Sequence, residues 1–97
     1  MKKLQKDEVD LIGNWIEKNG SVVADKVCER IKWLVEEVLE KIAFSEKYGA
    51  WETLFRDPAD GRLWERYYPH GEMHGGGPPA LRCITKETAR QKYKKID

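Results

Sequence analysis

The sequence predicts an α+β fold, a small antiparallel sheet with one main helix packed on it and a short carboxy-terminal helix. Three observations carry this reading. Asn19-Gly20 joins two short β-prone runs, an apolar stripe of helical spacing follows Asp25, and Asp57-Pro58-Ala59-Asp60-Gly61 separates two longer amphipathic runs. Asn-Gly and Asp-Gly pairs between such runs mark tight hairpin turns, because both residues tolerate positive φ.

Taken in order, residues 1–8 are polar and lysine-rich and read as a loosely ordered arm. Leu11 to Glu17 is β-prone, turns at Asn19-Gly20 and returns over Ser21 to Ala24, with Trp15 expected as a core anchor. Asp25 is placed to cap the main helix, and Val27, Ile31, Leu34, Val35 and Val38 fall on one face of it. Its outer face carries Lys26, Glu29, Arg30, Trp33 and Glu37, so Trp33 either covers the edge of the core or stands exposed. Helical spacing continues to Phe44, but residues 39–45 also alternate, and a strand there gives the first hairpin a sheet to join. The strand is the preferred reading. Glu46 to Gly49 then turns the chain into the central hairpin.

In that hairpin, pairing Arg56 with Arg62 places Trp51 opposite Tyr67 and Phe55 opposite Leu63 on a core face. The other, half-wet face then holds Leu54 against Trp64 and Glu52 against Arg66. After Pro69 come an irregular stretch with three glycines and two prolines, a last strand from Ala80 to Thr85, and a closing helix. Thr85 caps that helix, and Ala89 and Tyr93 dock it.

The whole, 1–97, reads as a single domain with the arm at 1–8, a globular body at 9–93 and a tail at 94–97. Apolar residues at 40% and charged residues at 36% describe a soluble protein, and no run is long enough to span a bilayer. No apolar segment follows Met1-Lys2-Lys3, so the expected compartment is the cytoplasm, where Cys28 and Cys83 stay reduced. The net charge of +1 hides an acidic central segment, with Asp57, Asp60, Glu65 and Glu72, and a basic end, with Arg82, Lys86, Arg90, Lys92, Lys94 and Lys95.

Catalytic signals are weak. His74-Gly75-Gly76-Gly77 matches an oxyanion-hole tetrapeptide, yet the chain has no Gly-x-Ser-x-Gly and is too short for the sheet such a nucleophile needs. His70, Glu72 and His74 alternate and could face one metal ion, but a fourth ligand is not evident, and no metal or other cofactor is expected. The Asp57 to Gly61 turn lacks the spacing and terminal Glu of a calcium loop.

Several motifs together resemble the bacterial immunity protein 27 family. They are Leu11-Ile12-Gly13-x-Trp15, Cys28-x-Arg30-Ile31-x-Trp33-Leu34, Arg56-Asp57-Pro58-x-Asp60-Gly61-Arg62-x-Trp64-Glu65 and Met73-His74-Gly75-Gly76-Gly77-Pro78-Pro79, within a likeness running from about residue 10 to 93. The resemblance implies a non-enzymatic inhibitor that binds and neutralises a cognate toxin of a polymorphic or contact-dependent system in the producing cell's cytoplasm. A nuclease is the expected toxin, since the acidic segment could fill the positive cleft that holds its substrate. Candidate contact residues are Asp57, Asp60, Glu65, Tyr68, His70 and Glu72, with Glu29 and Trp33 on the helix. A monomer is expected, with no direct nucleic-acid or membrane partner; the alternative is a nucleic-acid-binding module built on the basic end.

Overall fold

A computed structural model describes residues 1–45, 49–71 and 77–93, the side chain of residue 50 excepted. The expected turn at residues 46–48, most of the glycine-rich stretch and the tail 94–97 lie outside the described residues. The fold is α+β. Strands β1 (Asp10–Ile12), β2 (Trp15–Lys18) and β3 (Ser21–Ala24) precede helix α1 (Lys26–Trp33). Strands β4 (Glu40–Ser45), β5 (Gly49–Arg56), β6 (Leu63–Tyr67) and β7 (Ala80–Ile84) follow, then helix α2 (Lys86–Lys92). Five strands form one antiparallel sheet in the order β1-β7-β6-β5-β4, while β2 and β3 form a separate two-stranded sheet.

Helix α1 starts where the Asp25 carboxylate accepts the Cys28 N–H at 2.8 Å. Its end settles the ambiguity over residues 39–45. A π-helical turn over Leu34–Val38 closes with the Leu39 N–H donating to the Leu34 carbonyl at 2.8 Å, and Leu39 is already extended. The extra residue keeps Leu34 and Leu39 both in the core as the chain changes from helix to strand. On this side of the sheet Ile31, Leu34, Leu39, Phe55, Trp64 and Leu81 pack together. Full burial of a side chain such as Phe55 contributes about 1.5–3 kcal/mol. On the other side α2 sets Ala89 and Tyr93 against Leu54, its cap being Thr85, whose hydroxyl accepts the Thr88 N–H at 3.1 Å.

The register of the central hairpin differs from expectation by one residue. Arg56 pairs with Leu63, Phe55 with Trp64, Leu54 with Glu65 and Thr53 with Arg66. The cause is the turn. The Asp57 N–H donates to the Arg62 carbonyl at 2.9 Å and the Gly61 N–H to the Asp57 carbonyl at 2.8 Å, so Asp57 and Arg62 close a loop one residue shorter than read. Gly61, at φ 78°, supplies the left-handed residue. A one-residue slip exchanges the faces of one strand relative to the other. Glu52 and Arg66 are therefore on opposite faces, Trp64 joins Phe55 under α1, and Glu65 joins Leu54 under α2.

Two further expectations are corrected. Trp15 is no core anchor, being 39% exposed on a hairpin whose eight strand residues all face solvent. The Asn19-Gly20 turn forms as expected, with positive φ at both residues, but at Gly13 the chain leaves the main sheet. There the Gly13 N–H donates to the Pro79 carbonyl at 2.9 Å, and Asp25 and Asn14 hold the hairpin only at its base. The amino-terminal arm is docked instead of loose. Arg30 binds the Glu8 carboxylate at 2.7 Å and the carbonyls of Lys2 and Lys3, Arg62 binds the carbonyls of Gln5 and Glu8, and Leu4 enters the core. Each guanidinium offers five donors in a fixed fork, enough to hold backbone and carboxylate together.

Candidate protein-binding face

The expected contact residues do not form one surface. Asp57 is buried, and its carboxylate accepts the Ala59 N–H at 2.9 Å, so it builds the turn. Asp60 accepts the Arg62 N–H at 3.0 Å and its guanidinium Nε at 2.7 Å; the Arg62 backbone N–H chiefly holds its carboxyl below the usual range. Tyr68 and His70 stand at the opposite end of the hairpin, separated from that turn by the five residues of β6, about 17 Å of strand. Glu72 lies outside the described residues, as does His74 of the alternating trio. Among the described residues no three His, Cys, Asp or Glu side chains are grouped to hold a metal ion.

Glu65 is fully buried between sheet and α2 instead of facing water. One carboxylate oxygen pairs with Arg82 at 2.6 Å, and the other receives Lys92 at 2.8 Å and the Tyr93 O–H at 2.6 Å. Burial works against the charge, but the bonds from Lys92, Tyr93 and Arg82 outweigh it and hold the carboxyl below its usual range. The same burial and the adjacent carboxylate push the Tyr93 phenol well above its ordinary value. Two of the six cations at the basic end, Arg82 and Lys92, are thus committed to Glu65; Lys94 and Lys95 lie outside the described residues.

What the topology does bring together is an aromatic face. Helix α1 covers only part of its side of the sheet, and a cleft of about 590 Å³ opens beside it, walled by Glu29 and Lys32 and floored by Phe55, Arg66 and Tyr68. Arg66 lies 5.8 Å from the ring centres of both Phe55 and Tyr68 and donates to the Thr53 hydroxyl at 3.2 Å. Tyr68 meets Trp51 edge to face at 5.1 Å. Trp51 and Phe44 are half exposed, at 51% and 50%, and Lys41 lies 5.2 Å over the Phe44 ring. Of the expected residues, Tyr68 and Glu29 border this cleft, while Trp33 is half-buried against the core.

Sequence reasoning missed Trp51 and Phe44 as surface groups: Trp51 shares the Phe55 face of β5 as expected, but it lies beyond the part of that face that α1 covers. The available signal was composition, since Trp, Tyr and Arg are the residues enriched at the centres of protein interfaces. No helix among the described residues is long and apolar enough to cross a membrane.

Comparison with curated proteins and with solved structures produced no match. The profile of the family described as Immunity protein 27 matches residues 17–85, a span that runs from the first hairpin through α1 and the aromatic face to the end of β7. The chain accordingly belongs to the immunity protein 27 family, whose members have a cognate toxin as their partner.

Proposed function

We propose that this immunity protein neutralises a nuclease toxin as a monomer in the cytoplasm, binding it through the aromatic face beside α1 and blocking the path of its nucleic-acid substrate. The observation that carries the choice of surface is the exposure of Trp51 and Phe44 next to Tyr68 and Arg66. Half-exposed large aromatics lose much apolar area to water, and a partner that covers them recovers it. Glu29 and Glu36 on the helical wall of the cleft offer carboxylates to a toxin's phosphate-binding cations, beside Lys32, Lys41 and Arg66, and these carboxylates are what favours a nuclease as the partner. No catalytic step and no cofactor enters this reading. The central acidic residues contribute less than their sequence grouping suggests, with Asp57 and Glu65 buried and Asp60 already paired.

The test is co-expression of variants with the cognate toxin, followed by affinity measurement. Trp51→Ala is expected to weaken binding by about 2 kcal/mol or more, the loss associated with a central interface aromatic. Glu29→Lys should slow association, with the effect shrinking as salt rises. Asp60→Lys, at the far end of the hairpin, should leave protection intact. Loss of protection on Asp60→Lys with Trp51→Ala and Glu29→Lys silent would place the contact at the turn and end the aromatic-face reading.

A further inference from the structure

A second hollow, of about 240 Å³, lies at the turn end of the central hairpin, bordered by Ile42, Arg56, Gly61, Leu63, Ile84 and Lys86. Its side chains share one face of the sheet. Arg56 pairs with Leu63 and Leu63 with Ile84, so the three form a single cross-strand row. Ile42, Leu63 and Ile84 pack against the cluster of Leu54, Ala89 and Tyr93, which fixes the face as that of α2, opposite the aromatic one. Lys86, the first residue of α2, borders the hollow from the helix.

The cations here are left open where others in the protein are answered. Glu65 answers Arg82 and Lys92 in the adjacent row, Glu8 answers Arg30, and Asp60 answers Arg62. Arg62 also borders the hollow, but its guanidinium is held by Asp60 and by the carbonyls of Gln5 and Glu8. Among the described residues neither Arg56 nor Lys86 forms an ion pair or a side-chain hydrogen bond. Glu40 stands opposite Arg56 on β4, yet it is exposed and no ion pair joins the two. The half-buried Arg56 has given up part of its water beside aliphatic side chains, and an arriving anion restores charge-assisted hydrogen bonds to it.

We propose that this hollow binds a small organic phosphate, a phosphate monoester on a short apolar body, with the phosphate between Arg56 and Lys86 and the body on Ile42, Leu63 and Ile84. Charge selects the head group. A phosphate monoester carries about −1.5 to −2 at pH 7 and balances both cations, where a carboxylate balances one. Its oxygens also suit both the fork of a guanidinium and the point charge of an ammonium. The volume keeps the ligand small, being below the roughly 300–1,000 Å³ of pockets that enclose drug-sized molecules. The site stands on the sheet face away from Trp51 and Tyr68, so its ligand and the toxin do not compete for the same residues.

The probe is phenyl phosphate, titrated at fixed ionic strength into the isotopically labelled full chain while the backbone N–H resonances of Gly61, Leu63 and Ile84 are followed, with inorganic phosphate and benzoate as comparators. The expected result is a saturable shift with phenyl phosphate at millimolar concentration and binding weaker by about fivefold or more with either comparator. Lys86→Gln and Arg56→Gln should each weaken phenyl phosphate about tenfold, the loss of one charge-assisted contact. Lys18→Gln, on the exposed first hairpin, should leave it unchanged. Thermal melts check the variants, and the exposed position of Lys86 keeps the proposal testable even should Arg56→Gln fail to fold. Absence of a saturable shift, binding as tight with benzoate or inorganic phosphate as with phenyl phosphate, a folded Lys86→Gln that binds like the parent, or an equal loss in Lys18→Gln overturns the assignment.

Discussion

Glu65→Gln should be among the most damaging conservative changes in this protein. The substitution keeps shape and one acceptor oxygen for Tyr93 but removes the charge that neutralises Arg82 and Lys92. Breaking a buried ion pair by deleting one partner costs about 3–5 kcal/mol when the orphaned charge is trapped. Here the Arg82 and Lys92 side chains are 40% and 30% exposed and can turn toward water, so the expected cost is reduced to about 2–3 kcal/mol. For a domain of this size that corresponds to a melting temperature lower by about 10–20 °C. The assay is urea unfolding at neutral pH, with Glu29→Gln, an exposed helical position, as the control expected within about 0.5 kcal/mol of the parent. The pH dependence supplies a second readout. Because the folded-state pKa of Glu65 lies below its unfolded value, its contribution is complete above the ordinary carboxylate range and disappears as pH falls through the folded value. The variant should therefore lose less stability on acidification than the parent. A Glu65→Gln protein within about 0.5 kcal/mol of the parent, with an unchanged acid limb, would refute the reasoning.

Other outcomes follow from the packing and ion pairs described. Gly13→Ala should destabilise by about 1–3 kcal/mol in urea melts, since a Cβ there would lie 2.6 Å from the Pro79 carbonyl oxygen and 2.5 Å from the Cys28 sulfur; an unchanged midpoint would contradict the close approach. The Arg30 clamp lowers the Glu8 pKa from 4.5 to about 2, so the stability it adds should be present above pH 4.5 and vanish toward pH 2, and Glu8→Gln should flatten that part of the profile. Burial and the neighbouring Asp25 push the Cys28 thiol up, so a thiol reagent on the native protein should modify half-buried Cys83 first, while the denatured protein titrates two thiols. Equal native rates for the two would be inconsistent with that burial.

The elements legible in the sequence were those governed by local chemistry. Asp25 and Thr85 cap their helices and Asn19-Gly20 turns its hairpin, each through contacts within a few residues of chain, and the i, i+4 spacing of Ala89 and Tyr93 marks the face by which α2 docks. What was hidden depended on distant partners. The central register turned on whether Arg62 or Leu63 faced Arg56, a choice made by backbone bonds across the Asp57 turn that no side-chain pattern reports. That single residue moved Glu65 from the face of Phe55 to the face of Leu54, where it meets Arg82, Lys92 and Tyr93. Trp15 reads as core in any propensity argument, and only the departure of the chain at Gly13 takes it outside. The docking of residues 1–8 needed Arg30 and Arg62, 22 and 54 positions away from Glu8. The candidate face was legible as composition, through Trp51, Tyr68 and Arg66, but not as a location.

The strand order also sets a schedule. From β4 to β7 each strand lies beside its predecessor in the chain, so these pairings join segments close in sequence. Strand β1 is the exception, because Asp10 stands opposite Arg82 and, among the described residues, β1 neighbours β7 alone in the sheet. A ribosome making this protein releases β1 long before its partner exists, and Leu11 has no Leu81 to meet until β7 has followed it out. A copy cut short before β7 would thus leave β1 without its partner and the edge of β6 open.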